Sequence, residues 1–248
     1  NARFEKGDPL YELWRKERSG MYISSGAAIA VSKRSRPGLR DPDLFCMALL
    51  AKFAGYFPGY SRLIAEHHNY LTWAILKAHT GNRSGTVELR SADPRDTPLI
   101  NFNYFTEDGD GSATTDLDAV VAGIRFARQM AEPLRQRGLI AEEEMPGSHL
   151  QSDAELAAYV RDNAWGHHAS CSCPIGPREG GGVVDSQFRV HGVKRLRIVD
   201  ASVFPRIPGF FIVSAVYMIA EKAADAILAD EGTVSRIPIA EITGKGIA

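Results

Sequence analysis

An α+β fold is what the sequence predicts, and three observations predict it. Up to about residue 105 the apolar residues fall in short runs bounded by Gly, Pro, Asp and Ser, as strands do. From Thr115 the apolar period lengthens to that of a helix. The last third carries an apolar run, a Pro-Gly turn and one long helix-forming stretch, not a series of βαβ units. The chain has 248 residues, enough for one large domain or two modest ones. Its formal net charge of -1 supplies no basic field for nucleic acid or an anionic membrane. No apolar run reaches the length of a bilayer span. Three cysteines, Cys46, Cys171 and Cys173, are too few for a disulfide scaffold, and the odd count favours a reducing compartment such as the cytoplasm.

In chain order, Asp8-Pro9 opens a first helix, in which Leu10, Leu13 and Trp14 share a face, and Gly20 ends it. Gly26–Val31 reads as a short buried strand, and Ser32–Pro42 as a basic, solvated loop. Leu44–Phe53 and Leu71–Ala78 are apolar runs of strand character, joined through the aromatic, turn-rich Gly55–Ser61. Gly85–Ser91 alternates with period two, and Pro98–Phe105 is extended. The helix from Thr115 places Leu117, Val120, Val121, Ile124 and Met130 on one face, with Thr115 and Asp118 as a capping box. A shorter helix covers Ser152–Asn163, capped by Ser152 or Asp153. Leu196–Ser202 reads as a strand whose apolar run stops at Asp200. Val203–Gly209 turns the chain into a helix over Phe211–Leu228. Its packed face comprises Ile212, Val216, Ile219, Ala220, Ala223, Ala224 and Ile227, with Glu221, Lys222 and Asp225 outward. Residues 229–248 form a polar tail with no assignable role.

The residues that carry chemistry cluster between Trp165 and Leu228. His167 and His168 bring imidazoles suited to moving protons near neutral pH. With Cys171 and Cys173 they also spell H-H-x-x-C-x-C, half of a zinc site. The other reading is a pair of hydrogen-bonded loop histidines. Asp200, at the carboxyl end of its run, is placed either to meet a polar ligand or to cap a turn. Free N–H groups at the start of the last helix give positive potential for negative charge on a bound ring or phosphate.

Taken together, these segments resemble the carboxyl-terminal half of the glucose–methanol–choline (GMC) family of flavin oxidoreductases, of choline dehydrogenase or alcohol oxidase type. The resemblance rests on G-V-V-D-S-Q-F-R-V-H-G-V-K-R-L-R-I-V-D-A-S-V-F-P-R-I-P and M-I-A-E-K-A-A-D, with the Gly85–Phe105 segment similar to the family's substrate-side region. It implies a substrate-binding domain over residues 1–162, built on an antiparallel sheet with flanking helices. Residues 163–228 would be the last strand-turn-helix part of a Rossmann-like FAD-binding domain. The family's Gly-rich G-x-G-x-x-G turn is not in the sequence, and the run Gly180-Gly181-Gly182 has no helix after it. The chain thus reads as a carboxyl-terminal portion whose partner is a missing amino-terminal FAD-binding half.

The implied activity is FAD-dependent oxidation of a primary or secondary alcohol, with a small-molecule alcohol as substrate, hydride passing to flavin N5 and a histidine base. Counting back from Pro174-Ile175-Gly176, the catalytic acid/base position falls on His168, with Cys171 and Ser172 where the family has Gly and Thr. The family's second active-site position, His or Asn, falls on Phe211, which neither accepts nor donates a proton. Either His167 or a residue outside the motif substitutes for it, or the chemistry differs from the family's usual course. The resemblance puts Asp200 and Ala201 at the flavin's ribityl-phosphate region and the N–H groups of Ile212 and Val213 near its pyrimidine. Phe210 and Phe211 would form an apolar wall favouring a substrate less polar than a sugar. Two alternatives remain: a flavoprotein of the same fold with lyase or other non-redox chemistry, and a flavin-free module binding metal through His167, His168, Cys171 and Cys173.

Overall fold

The computed structural model describes residues 6–24, 26–81, 84–106 and 110–230. The chain forms two compact units, one running through Trp165 and the other starting at Gly166. Most of the tail beyond Leu228, from residue 231 on, lies outside the described residues.

In the first unit, α1 (Pro9–Glu17) begins where the sequence places it. The buried Asp8 carboxylate accepts the Leu10 N–H at 2.8 Å and the Tyr22 hydroxyl at 2.7 Å, and Pro9 follows where its missing N–H costs nothing. The helix ends at Arg18, in a left-handed conformation, two residues before the expected Gly20.

Strands β1 (Ala27–Lys33), β2 (Leu44–Leu49) and β3 (Thr72–Lys77) form one antiparallel sheet in the order β1-β2-β3. Burial alternates along β2. Leu44, Cys46 and Ala48 are fully covered, while Phe45, Met47 and Leu49 are partly exposed. The covered face meets α3 (Ser112–Gln136): Leu44 and Cys46 pack with Ala119, and Trp73 and Ile75 of β3 join them. Helix and sheet approach closely at Gly123, where a Cβ would stand 2.6 Å from Ile75 Cγ2. Between β2 and β3 lies a helix the sequence did not reveal, α2 (Tyr60–Glu66), which follows a left-handed Gly59 and buries no residue. A two-stranded ribbon, β4 (Thr86–Glu88) and β5 (Leu99–Asn101), realises the cores of the two extended segments.

Helix α3 starts three residues earlier than its periodicity suggests. Gly111 is its cap in a left-handed conformation, and Thr115 already donates its N–H to the Gly111 carbonyl at 3.1 Å. Thr115 and Asp118 therefore form no capping box. Leu117, Val121 and Ile124 are buried as expected, with Val120 packed beside them, but Met130 is exposed. Helix α4 (Asp153–Asn163) has the full reciprocal box: Ser152 Oγ accepts the Glu155 N–H, and Glu155 accepts the Ser152 N–H. Its Leu156 and Val160 complete the core against α3.

One polar cluster lies under this layer. Lys77 Nζ sits 3.1 Å from Asp116 Oδ1 and 3.7 Å from Asp43 Oδ2, and donates to the Ala78 carbonyl at 2.6 Å. Burial alone would raise the Asp43 pKa. The Ser35 hydroxyl and N–H, together with Lys77, outweigh it and hold the carboxyl below its ordinary value.

The second unit is built differently. Its core is Val184, Phe188, Val203, Phe204, Ile219 and Ala223, supplied by loops and by α5 (Val213–Asp230). The expected strand over Leu196–Ser202 is absent. Only an isolated bridge, Arg189 with Arg197, forms there, and Ala201–Val203 is a short 3-10 turn. A strand needs a continuous ladder, and these residues instead exchange single backbone bonds with several loops. The packed face of α5 is also rotated from the expected one. Ile219, Ala223 and Ala226 are buried beside Ala215 and Val216, whereas Ala220, Ala224 and Ile227 are exposed. The helix is apolar nearly all round, so its sequence does not single out one face. Glu221, Lys222 and Asp225 do point outward.

Candidate active site

Three backbone bonds assemble the site in the second unit. The N–H groups of Cys171, Cys173 and Ile175 donate to the carbonyls of Ala201, Ser202 and Val203 at 3.2, 2.9 and 2.8 Å. The segment after the histidines is thereby laid along the turn that follows Asp200. Behind it, the glycine run has a steric role. A Cβ on Gly182 would stand 2.1 Å from the Gly176 carbonyl oxygen, so only glycine lets the two backbones pass. His191 Nε2 caps the same Gly176 oxygen at 2.9 Å.

His168 is half-buried and His167 is exposed, with ring centroids 4.5 Å apart. On another side the Phe211 ring meets His168 edge-on at 6.3 Å. Burial, and then the neighbouring His167, push the His168 pKa below its ordinary value. A hydrogen bond to the Phe210 backbone carbonyl opposes them without cancelling them. The shift favours the neutral imidazole, a form that can hold one ring N–H toward that carbonyl and accept a proton on the other nitrogen. The role of Phe210 was illegible in the sequence, because any residue carries that carbonyl.

Asp200 caps a turn: its Oδ1 accepts the Ser202 N–H at 2.7 Å at the start of Ala201–Val203. Ala201 is partly buried, its carbonyl held by Cys171. At the start of α5 the first intrahelical bond runs from Val216 N–H to the Ile212 carbonyl at 2.9 Å. The N–H groups of Val213, Ser214 and Ala215 lie ahead of that ladder, at the positive end of the helix dipole. Phe211 and Val213 there are 46% and 62% exposed. The structure thus brings His167, His168, Phe210 and Phe211 together, and separately brings Asp200 and Ala201 beside the cysteine segment.

Cys171 packs against the core of the unit, and its Sγ lies 3.2 Å from Ser170 Oγ. Cys46, Cys171 and Cys173 are all free. Among the described residues, no group of three or more His, Cys, Asp or Glu is arranged to hold a metal ion, so the geometry lends nothing to the metal reading of H-H-x-x-C-x-C. No helix among the described residues is long and apolar enough to cross a membrane.

Comparison with known proteins places these features. The GMC oxidoreductase family model for the C-terminal domain matches residues 81–220, more than half of the chain. Human mitochondrial choline dehydrogenase is 35% identical over 223 residues, which are 87% of this chain and 34% of that protein. The glucose methanol choline oxidoreductase atC of Aspergillus terreus is 40% identical over 66% of this chain and 26% of its own length. Among solved structures, a formate oxidase of Aspergillus oryzae RIB40 superposes with a TM-score of 0.69 at 28% identity, covering 89% of this chain and 41% of that one. A fungal aryl-alcohol oxidase superposes with a TM-score of 0.55 at 30% identity, covering 77% and 28%. The chain thus spans about a third or less of the curated relatives it matches. On the extent of that family match, the chain belongs to the GMC oxidoreductases.

Proposed function

We propose that the protein is an FAD-dependent oxidoreductase that converts a primary or secondary alcohol to the carbonyl, with His168 as the base. The observation that carries this is the setting of His168: half-buried, with the His167 ring 4.5 Å away on one side and the Phe211 ring edge-on at 6.3 Å on another. In this reading the first unit is the substrate side. The second completes an FAD-binding domain whose remainder corresponds to the amino-terminal part of the longer relatives. Bound FAD supplies the two-electron acceptor for the hydride that leaves the alcohol carbon.

The chain's own residues do the rest. His168 takes the hydroxyl proton as the hydride departs, so the alcohol loses one proton and one hydride and becomes the carbonyl. Burial disfavours the protonated imidazole, and the neighbouring His167 disfavours it further. The N–H groups of Ile212 and Val213 fit a cofactor ring that gains negative charge, because they stand at the positive end of α5. Asp200 and Ala201 fit its hydroxylated chain, and the capping of Ser202 fixes the carboxylate that would meet it. Phe211 gives the base an apolar wall and offers no second proton-transfer group.

The test is anaerobic stopped-flow reduction of the FAD-loaded longer enzyme. His168→Gln is expected to slow reduction by roughly 10²–10⁴-fold with alcohol binding retained. Reduction should hold its rate as pH falls past the ordinary histidine value of about 6.5 and decline only below it, because the folded pKa is depressed. Unchanged reduction in His168→Gln would sink the assignment.

A further inference from the structure

A histidine that moves a proton must be held as well as placed, because its ring offers two nitrogens and the partner of one decides the role of the other. The side chains beside His168 supply neither a carboxylate nor an amide for that purpose. His167 is a second imidazole, 4.5 Å away between ring centroids, and Phe211 presents a ring edge at 6.3 Å. The hydrogen-bond partner is the backbone carbonyl of Phe210. Backbone dihedrals, not a side chain, aim such a group.

Gly209 stands directly before that residue with φ 116°. This lies well beyond the small left-handed region near about +60° that other residues visit, so glycine alone holds it without strain. Among the described residues, no atom lies within 4 Å of where a Cβ on Gly209 would stand. Unlike Gly182, then, Gly209 is not a glycine for want of room. What its position demands is a backbone direction. The chain on either side is anchored in one core, through Val203 and Phe204 before it and Ile219 of α5 after it. The segment that follows His168 is tied to the same turn by the Cys171 N–H on the Ala201 carbonyl at 3.2 Å. Gly209 is therefore a joint between fixed stretches, and its φ sets where the Phe210 carbonyl points. A carbonyl on one ring N–H also favours the imidazolium that forms when the other nitrogen takes a proton, against the burial and the His167 ring that disfavour it.

We propose that Gly209 is a positioning residue for His168: its positive φ turns the Phe210 carbonyl to one ring nitrogen of that histidine and leaves the other to take a substrate proton. That the proton is an alcohol's rests on the oxidoreductase reading above. That the carbonyl orients the ring does not.

The experiment follows the His168 ring nitrogens of the purified chain by long-range proton–nitrogen NMR through a pH titration, in Gly209→Ala and Gly181→Ala. Gly181 is the control. It belongs to the same unit, at φ 82° and with the same open space, so alanine there brings backbone strain without a link to His168. The unsubstituted chain is expected to show one neutral tautomer. Gly209→Ala should show a mixture of both and a lower His168 midpoint, because the bond that raises its proton affinity is lost. Gly181→Ala should change neither. If Gly209→Ala does not fold, Gly209→Asn, which tolerates positive φ better, should give a smaller change of the same sign. A folded Gly209 variant with one tautomer and an unmoved midpoint would overturn the proposal, and so would an equal change in Gly181→Ala. In the FAD-loaded longer enzyme, Gly209→Ala should slow flavin reduction roughly tenfold with alcohol binding retained. Slow reduction in His168→Gln beside an unaltered ring in Gly209→Ala would keep the oxidoreductase reading and remove the positioning role. An altered ring with unchanged reduction would support the orienting carbonyl and take it out of the oxidation.

Discussion

Residues 27–77 and residues 168–213 satisfy their backbone hydrogen bonds in opposite ways. The first stretch uses a register: β2 pairs on both sides along its whole length, and one face of it is covered. The second uses single bonds between loops, three of them tying Cys171, Cys173 and Ile175 to Ala201, Ser202 and Val203. A ladder spreads the loss of one bond over its neighbours, whereas a set of single bonds has no such reserve. The difference teaches where chemistry can be placed. An irregular frame can present His168, the Phe210 carbonyl and the start of α5 to one another, because no strand period dictates which way each residue points.

Three substitutions sharpen the contrast. The largest effect is expected in the regular unit, at its buried polar cluster. Lys77→Met leaves Asp43 and Asp116 covered without their cation, and should cost about 3–5 kcal/mol in denaturant unfolding. Its pH dependence has a definite sign. The folded pKa of Asp43 is depressed, so its contribution is present above the ordinary carboxylate value and is lost as pH falls through the folded one. Without Lys77 that acid loss should begin at higher pH. Acid loss starting at the same pH in both proteins would mean that Lys77 does not hold Asp43 ionised.

Gly182→Ala addresses the irregular unit. A methyl group 2.1 Å from a backbone oxygen has no side chain to push aside, and should cost roughly 2–3 kcal/mol. Amide exchange should speed up over residues 171–204 while β2 keeps its protection. Faster exchange in both regions alike would show that they do not differ in the way described. Ser152→Ala is the smallest, about 1 kcal/mol, because one half of the capping box is lost while Glu155 can still reach the Ser152 N–H. Fraying should be confined to the first turn of α4.

Legibility followed the same divide. Helix α1 was readable from Asp8-Pro9, α4 from its cap at Ser152 or Asp153, and β2 and β3 from their apolar runs, since each depends on chemistry a few residues apart. The start of α3 was missed because Gly111 caps it through backbone conformation, with no side-chain signal. Helix α2 buries nothing and so left no apolar period to find. The rotation of α5 was misread because Ala220, Ala224 and Ile227 are as apolar as the residues that face the core, and Tyr217 and Met218, 70% and 66% exposed, blur the pattern further.

The sequence by itself determined the α+β class, the order of the principal helices and strands and the resemblance to the GMC family, and it singled out His168 and Phe211 as candidates. Periodicity, caps and motif order are local properties, and a linear chain displays them. Tertiary structure decided the rest. It showed that the residues before Asp200 form no strand and that Asp200 caps a turn. It lowered the proton affinity of His168 through burial and the neighbouring His167. Burial, and the meeting of groups far apart along the chain, exist only once the chain has folded.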